Sequence, residues 1–181
     1  HMTRTPELVF RNDPRPTDLG RIRDIVEATG FFSAAELEVA IELLDDGLAR
    51  GPASDYRFLF AEERGAVLGY SAFGPIPLTR TSWDLYWIAV DPATQGRGVG
   101  QALLAESERR VATAGGERVY VDTSSRAQYA PTRRFYERSG YTVAATFEDF
   151  YAPGDGKVVF VKRLASYGRY AAGTGRSPTV R

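Results

Sequence analysis

A glycine-rich turn between a strand-like run and a helix-like run is the feature that most constrains the fold of this chain. Residues 95–100 read QGRGVG, with glycine at three of the six positions. Glycine reaches backbone conformations that other residues avoid, and it lets another group approach the main chain closely. A turn of this kind either cradles phosphate groups or makes a tight corner that binds nothing.

The spacing of these glycines excludes two common nucleotide-binding loops. The dinucleotide fingerprint, counted from Gly96 and Gly98, requires glycine at the position of Gln101. The mononucleotide loop requires lysine and then serine or threonine after its last glycine, but Gly100 is followed by Gln101 and Ala102. The remaining pattern is a strand, Q-x-x-G-x-G and a helix. Its successive N–H groups, with the positive end of the helix, would form a concave site for an anion with two phosphates.

Hydrophobic periodicity predicts a mixed fold of helices and strands in one domain over residues 1–164. We predict helices over residues 17–29, from Ser33 onward, from the glycine turn to about residue 114, and over residues 131–140; Ser33 and Glu36 have the spacing of a capping box. Strands are predicted near residues 8–11, 56–61, 66–73, 83–90, 118–122, 141–150 and 157–164. Residues 165–181 are basic and glycine-rich and are predicted to form a flexible tail, and residues 1–2 are interpreted as a tag remnant.

Composition restricts the chemistry that this chain can perform. It contains no cysteine, and its single histidine is His1, so carboxylates, tyrosines, hydroxyls and backbone groups must carry any reaction. We therefore expect no metal site. Without residues 165–181 the chain has 20 basic and 23 acidic residues, which does not favour nucleic-acid binding. No apolar run is long enough to span a bilayer and no secretory signal is visible, so we expect a cytoplasmic protein without membrane contact.

Two separate motifs resemble those of the GNAT superfamily of N-acetyltransferases. Residues 88–104, IAVDPATQGRGVGQALL, are similar to its central motif, and residues 133–141, RRFYERSGY, are similar to its next one. The resemblance implies an α/β (α+β) fold with a mixed, mostly antiparallel central sheet of about six to seven strands flanked by about four helices. It also implies transfer of an acetyl group from acetyl-CoA to a primary amine of a small molecule or peptide, by direct attack in a ternary complex.

The same resemblance implies which residues hold the coenzyme. The end of the central strand would pair with the pantetheine arm, and the glycine turn would hold the pyrophosphate. The chain departs from the family at Tyr129 and Thr132, where many members have asparagine and alanine, so Thr132 would offer a hydroxyl in place of the asparagine contact. The implied coenzyme-binding residues are Ile88, Ala89, Val90, Gln95, Gly96, Arg97, Gly98, Val99, Gly100, Gln101 and Thr132.

Tyr136 and Asp84 are the catalytic candidates. Tyr136 matches a tyrosine that family members often place beside the coenzyme sulfur, where a protonated phenol can donate to the departing thiolate. Asp84 stands where histone-acetyltransferase members have a glutamate, and it would accept a proton from the amine. Strand alternation predicts that Asp84, Tyr86 and Ile88 share one face. Each candidate also has a structural interpretation, as a core tyrosine and as a carboxylate that bonds nearby backbone.

The acceptor-binding residues implied by the resemblance lie in the first two helices and in the loop between the last two strands. Glu148, Asp149, Tyr151 and Asp155 make that loop acidic and aromatic, which suits a cationic amine, although a solvated hairpin turn at residues 153–156 explains Asp155 as well. The substrate-binding candidates are Phe31, Phe32, Tyr86, Asp149 and Tyr151.

Two other classes of function remain open at this point. One is a coenzyme-A-binding sensor without catalysis on the same fold, and the other is an interaction module that uses the basic tail. The sequence is compatible with a homodimer. It does not identify the acceptor amine, because one scaffold serves many acceptors.

Overall fold

The computed structural model describes residues 7–165, which form one seven-stranded sheet with helices on both faces. The predicted tail, apart from Ala165, and the predicted tag remnant lie outside the described residues. Spatial order in the sheet is β1-β2-β3-β4-β5-β7-β6, and only β4 and β5 run parallel. The strands are β1 (Val9–Arg11), β2 (Arg57–Glu63), β3 (Ala66–Pro75), β4 (Ser82–Val90), β5 (Arg118–Ser124), β6 (Thr142–Ala152) and β7 (Asp155–Arg163).

Four α-helices accompany the sheet, so the expected mixed, mostly antiparallel architecture is confirmed. They are α1 (Pro16–Thr29), α2 (Ala34–Arg50), α3 (Val99–Thr113) and α4 (Ala130–Arg138). The predicted capping box of α2 is present, because Ser33 and Glu36 bond each other's backbone N–H groups at 3.2 and 2.6 Å. It fixes the start of α2 and the course of the loop that precedes it.

Each face of the sheet has its own apolar core. The cluster beneath α1 and α2 includes Ile22 and Leu44, and it packs on Phe60 and Tyr70 of the sheet. The cluster beneath α3 and α4 has Leu103 from α3, Tyr136 from α4 and sheet residues such as Phe160. These two layers hold the central strands rigidly between them, so that the ends of β4 and β5 are well positioned.

A β-bulge at Tyr86 overturns the predicted alternation of β4. Leu85 lies opposite Phe73 on β3, whereas Trp87 lies opposite Ala72, so Tyr86 is an extra residue in β4. Beyond the bulge, Trp87 packs in the α1/α2 cluster and Ile88 packs against the α3/α4 cluster. The prediction that Asp84, Tyr86 and Ile88 share one face was therefore wrong, because the inserted residue reverses the alternation.

The two parallel strands separate shortly after they meet. Backbone pairing between β4 and β5 covers only Ser82–Asp84 against Arg118–Tyr120. Beyond Asp84 the β4 edge that faces β5 has no strand partner within residues 7–165, while β5 continues along β7 to Ser124. This separation opens a wedge at the carboxyl ends of both strands.

Candidate active site

A cleft of about 960 Å³ fills the wedge between β4 and β5. One wall is the stretch of β4, residues 86–90, that has no strand partner on its β5 side, and the other is β5, residues 121–124. Backbone N–H and C=O groups that face an open strand edge are ready to pair with another extended chain. The sequence-predicted residues that line this cleft are Phe31, Phe32, Tyr86, Ile88, Ala89, Val90, Thr132, Tyr136 and Tyr151.

The glycine turn lies directly after β4 and leads into α3. Gly96 and Gly98 have φ angles of 80° and 76°, the left-handed conformation that glycine adopts without strain. Five backbone N–H groups in this segment take no acceptor from the described residues. They belong to Gly96, Gly98, Val99, Gly100 and Gln101. With the positive end of α3, they provide a preformed site for an anionic group.

Asp91 fixes the beginning of this turn. Its carboxylate accepts the Ala93 N–H at 2.9 Å and the Arg21 guanidinium at 2.7 Å. The Arg21 contact, followed by the Ala93 bond, lowers the pKa of Asp91. The Thr94 hydroxyl donates to the Asp91 carbonyl at 2.8 Å. These contacts attach the turn to α1, so that its free N–H groups are held in place without a ligand.

The side chain of Arg97, at the tip of the turn, is turned toward the protein. Its guanidinium lies 2.6 Å from the Glu63 carboxylate at the end of β2. In this structure Arg97 therefore neutralises Glu63, and the anion site is formed by backbone groups.

Tyr136 from α4 borders the cleft from the α3/α4 side. Its residue surface is only 3% exposed, and its ring packs against Tyr141 and Phe160, with centroids 5.5 and 5.9 Å away. Burial raises the pKa of Tyr136 above its ordinary value, since the phenolate would lose its hydration. The phenol thus keeps its proton at neutral pH, as a donor must. Tyr136 is therefore packed in the core and also borders the cleft, so its position is compatible with both the structural and the donor interpretation.

The departures from the family pattern have a structural explanation. Tyr129, which replaces the asparagine, donates from its hydroxyl to the Phe31 carbonyl at 3.1 Å and bridges α4 to the α1–α2 loop. Thr132 lines the cleft one turn before Tyr136. Arg133 donates to the carbonyls of Ser124 and Arg126 at 2.7 and 3.0 Å. It holds the β5–α4 connection.

Asp84 lies at the apex of the wedge, at the last pair between β4 and β5, and is not part of the cleft lining. Burial raises its pKa, and the nearby charge of Asp122 raises it further, while Lys157 opposes the shift. Asp122 itself lines the cleft and is ion-paired with Lys157 at 3.0 Å. Burial also raises the pKa of Tyr86 to about 12, with the charge of Asp84 as the second cause. Asp84 therefore lies near two residues of the cleft lining, Asp122 and Tyr86.

Aromatic residues also line the cleft. Phe32 packs on Trp87 with ring centroids 4.9 Å apart, and Tyr86 packs edge-on against Tyr56 at 5.4 Å. Asp149 is not brought to the cleft. Its carboxylate accepts the Gly154 N–H at 2.7 Å, and its φ angle of 51° marks an irregular stretch of β6. Its observed role is to stabilise the hairpin.

Three carboxylates of the cleft lining were not among the predicted site residues. They are Glu36, Asp122 and Asp155. Glu36 was predicted only as a capping residue, and Asp155 was weighed as part of a turn. The sequence offers one signal for Asp122, its position on β5 between the inward-facing Val121 and Thr123. The sequence does not show that β5 lies beside β4.

Within residues 7–165, no group of three or more His, Cys, Asp or Glu side chains is arranged to hold a metal ion. In the same part of the chain, no helix combines the length and the apolarity that crossing a membrane requires.

Comparison with known proteins identifies the family. A family model described as an acetyltransferase (GNAT) domain matches residues 54–143. A GNAT-family protein from Desulfovibrio desulfuricans, solved by crystallography, is 44% identical; the match covers 87% of this chain and 99% of that one, with a TM-score of 0.85. This chain therefore belongs to the GNAT family of acetyltransferases.

More distant structures share the fold alone. The ribosomal-protein-S18-alanine N-acetyltransferase from Escherichia coli is 19% identical over 90% of this chain and 97% of its own, with a TM-score of 0.69. The PaiA N-acetyltransferase from Thermoplasma acidophilum, solved with coenzyme A, is 18% identical over 87% of this chain and 99% of its own, with a TM-score of 0.66. None of the curated proteins matches the sequence.

Proposed function

We propose that this chain is an N-acetyltransferase that moves an acetyl group from acetyl-CoA to a primary amine of a small molecule or peptide. The observation that carries the proposal is an open backbone edge on β4 that runs into a turn with five free N–H groups. A ligand that has both amide groups along an extended arm and a pyrophosphate matches these two features together. A tight turn that binds no ligand would require neither the open strand edge nor the free N–H groups.

The chain's own groups fit coenzyme A in sequence along the cleft. In this proposal the main chain of Ile88, Ala89 and Val90 pairs with the pantetheine amides, and the segment from Gln95 to Gln101 holds the pyrophosphate. The Thr132 hydroxyl, on the α4 side, faces the same arm. When bound, acetyl-CoA supplies an acetyl thioester, whose C–S bond breaks as a C–N bond forms to the acceptor.

Tyr136 is the proposed donor to the departing thiolate. Its burial makes the phenol a weaker acid, but the same apolar surroundings make a thiolate a stronger base, so the proton transfer is less unfavourable than the phenol alone suggests. Solvent then returns a proton to the phenolate. The chain has no cysteine to form an enzyme thioester, which supports direct attack of the amine.

Asp84 is the proposed proton acceptor for the amine. A lysine-like amine with a pKa of about 10.4 is roughly 3.4 units from neutral at pH 7, which costs about 4.6 kcal/mol. The raised pKa of Asp84 makes it a better base than an ordinary aspartate, and its neighbours Asp122 and Tyr86 line the cleft. Because Asp84 does not line the cleft, the proton would reach it through a water molecule.

Replacing Tyr136 with phenylalanine tests the proposal. The phenylalanine keeps the packed ring, so we expect kcat to fall about 100-fold or more while the Kd for acetyl-CoA changes by less than about twofold. Tyr141→Phe is the matched control: Tyr141 is equally buried, its hydroxyl has no partner within the described residues, and it does not line the cleft. A sensor without catalysis would show no turnover in the native chain or in either variant.

A homodimer and a cytoplasmic location complete this proposal. β6 is an edge strand with Val143 and Phe147 about half exposed, and residues 142–147 carry no charge. A second copy that paired antiparallel along this edge would bury those side chains and would oppose no like charges. Acetyl-CoA is made and used inside cells, which supports the location.

A further inference from the structure

The part of the cleft that we propose for the acceptor amine carries more acidic than basic residues. Glu36 from α2, Asp122 from β5 and Asp155 from β7 line it, and the described lining contains one basic residue, Arg126, on the segment that leads to α4. Asp122 is paired with Lys157. Glu36 and Asp155 form no ion pair with any residue in the range 7–165.

Both unpaired carboxylates are held in place by neutral donors. Glu36 accepts the Ser33 N–H of its capping box at 2.6 Å, and Asp155 accepts the Ser124 hydroxyl. These hydrogen bonds orient the carboxylates but leave their charges intact. The two side chains are therefore positioned without a cationic partner, at the mouth of a cleft whose other end is assigned to the coenzyme.

Tyr151 lies within the electrostatic range of all three carboxylates. Its pKa is raised by burial and then by the charges of Asp122, Asp155 and Glu36, so all three act on one phenol although they come from different elements. Tyr151 also lines the cleft. A ligand at the position of Tyr151 would interact with the same three negative charges.

Aromatic rings line the same cleft. Phe31 contacts Tyr129 with ring centroids 6.5 Å apart, Phe32 contacts Trp87 at 4.9 Å, and all four line the cleft. Aromatic faces attract a cation and do not attract an anion. A site with aromatic walls and two unpaired carboxylates is suited to an ammonium group.

We propose that the acceptor is a small diamine or polyamine, whose second ammonium group is bound between Glu36 and Asp155 while its other nitrogen is acetylated. This inference rests on the proposed N-acetyltransferase function. The bound ammonium stays charged at the mouth of the cleft. The reacting nitrogen lies toward the apex, where its proton passes to Asp84, its C–N bond forms and the coenzyme C–S bond breaks. The second charge thus determines specificity and has no part in the bond changes.

The test compares two acceptors of equal length that differ in one charge. 1,4-Diaminobutane and 1-aminopentane differ only in an ammonium group that replaces a methyl group. A hydrogen bond to a charged group contributes about 1.5 kcal/mol or more, which corresponds to roughly tenfold per contact. With two carboxylates we expect kcat/KM in the native chain to be about 100-fold higher for the diamine.

Glu36→Gln and Asp155→Asn each remove one charge and keep the local hydrogen bond. Glutamine still accepts the Ser33 N–H, and asparagine still accepts the Ser124 hydroxyl. Each variant should lower the diamine-to-monoamine ratio of kcat/KM about tenfold. Glu38→Gln is the control, because Glu38 lies on the same helix, is exposed and paired with Arg23, and does not line the cleft. It should leave the ratio as it is.

The outcomes separate this inference from the function on which it rests. Equal kcat/KM for the two amines, or acetylation of peptide amines but of neither small amine, would overturn the diamine assignment and leave the acetyltransferase function standing. A ratio that stays high in both variants would also overturn it. Absence of transfer to any amine, with acetyl-CoA bound, would reject the proposed function itself, and the assignment with it.

Discussion

Replacing Gly98 with alanine separates the role of the glycine turn in binding from its role in folding. Gly98 has a φ of 76°, and a Cβ atom added there would meet no atom within 4 Å, so the protein itself has room for it. The left-handed backbone costs an alanine about 1–2 kcal/mol. For a domain of this size, each kcal/mol lowers Tm by about 2–4 °C. The expected loss of stability is therefore small.

The expected loss of coenzyme affinity has a separate cause from the backbone strain. The added methyl group would take up open space beside the free N–H groups and would hold the pyrophosphate away from them. Losing one or two hydrogen bonds to the charged pyrophosphate should weaken the Kd for coenzyme A about 10- to 100-fold. Isothermal titration calorimetry would measure the Kd, and thermal unfolding would measure Tm.

Gly115→Ala provides the matched control for this experiment. Gly115 has a φ of 91° and equally open surroundings, but it lies just beyond the other end of α3. Both variants should lose similar stability, and only Gly98→Ala should lose affinity. An unchanged Kd in Gly98→Ala, or the same loss in Gly115→Ala, would refute the assignment of the turn as the pyrophosphate site.

Two further predictions concern the apex and the sheet edge. Lys157→Met removes the charge that lowers the Asp84 pKa, so the acidic limb of the kcat/KM profile should move to higher pH; Asp122→Asn should move it to lower pH. A limb that stays in place in both variants would exclude Asp84 as the base. Val143→Lys on β6 should dissociate the proposed dimer in sedimentation experiments, whereas Val9→Lys, on the opposite edge strand β1, should not; a native chain that sediments as a monomer would reject this dimer.

Local sequence signals predicted the elements that form the coenzyme end of the cleft. The strand, the glycine turn and the following helix are adjacent in the chain, so their order already specifies how they meet. The capping box of Ser33 and Glu36 is equally local. The helix and strand types follow from the apolar periodicity, because each element buries one face against the sheet or against the helices that cover it.

The acceptor end depends on contacts that local patterns do not encode. The bulge at Tyr86 arises from the register between β3 and β4, and it reverses the face of every later residue in β4. Asp122 and Asp155 line the same cleft because β5 and β7 are neighbours in the sheet, an order that the sequence does not display. Asp149 has the residue type expected of an acceptor site, but its left-handed backbone directs it into a turn.

Amine-dependent thiol release is the most direct test of the central claim, direct transfer from acetyl-CoA to an amine. The chain has no cysteine, so every thiol that appears must come from the coenzyme. With direct transfer, thiol release should require the amine, equal the acetylated amine formed, and leave the intact mass of the protein unchanged. An acetylated protein formed before the amine is added would contradict direct attack, and bound acetyl-CoA without amine-dependent thiol release would contradict the enzyme assignment.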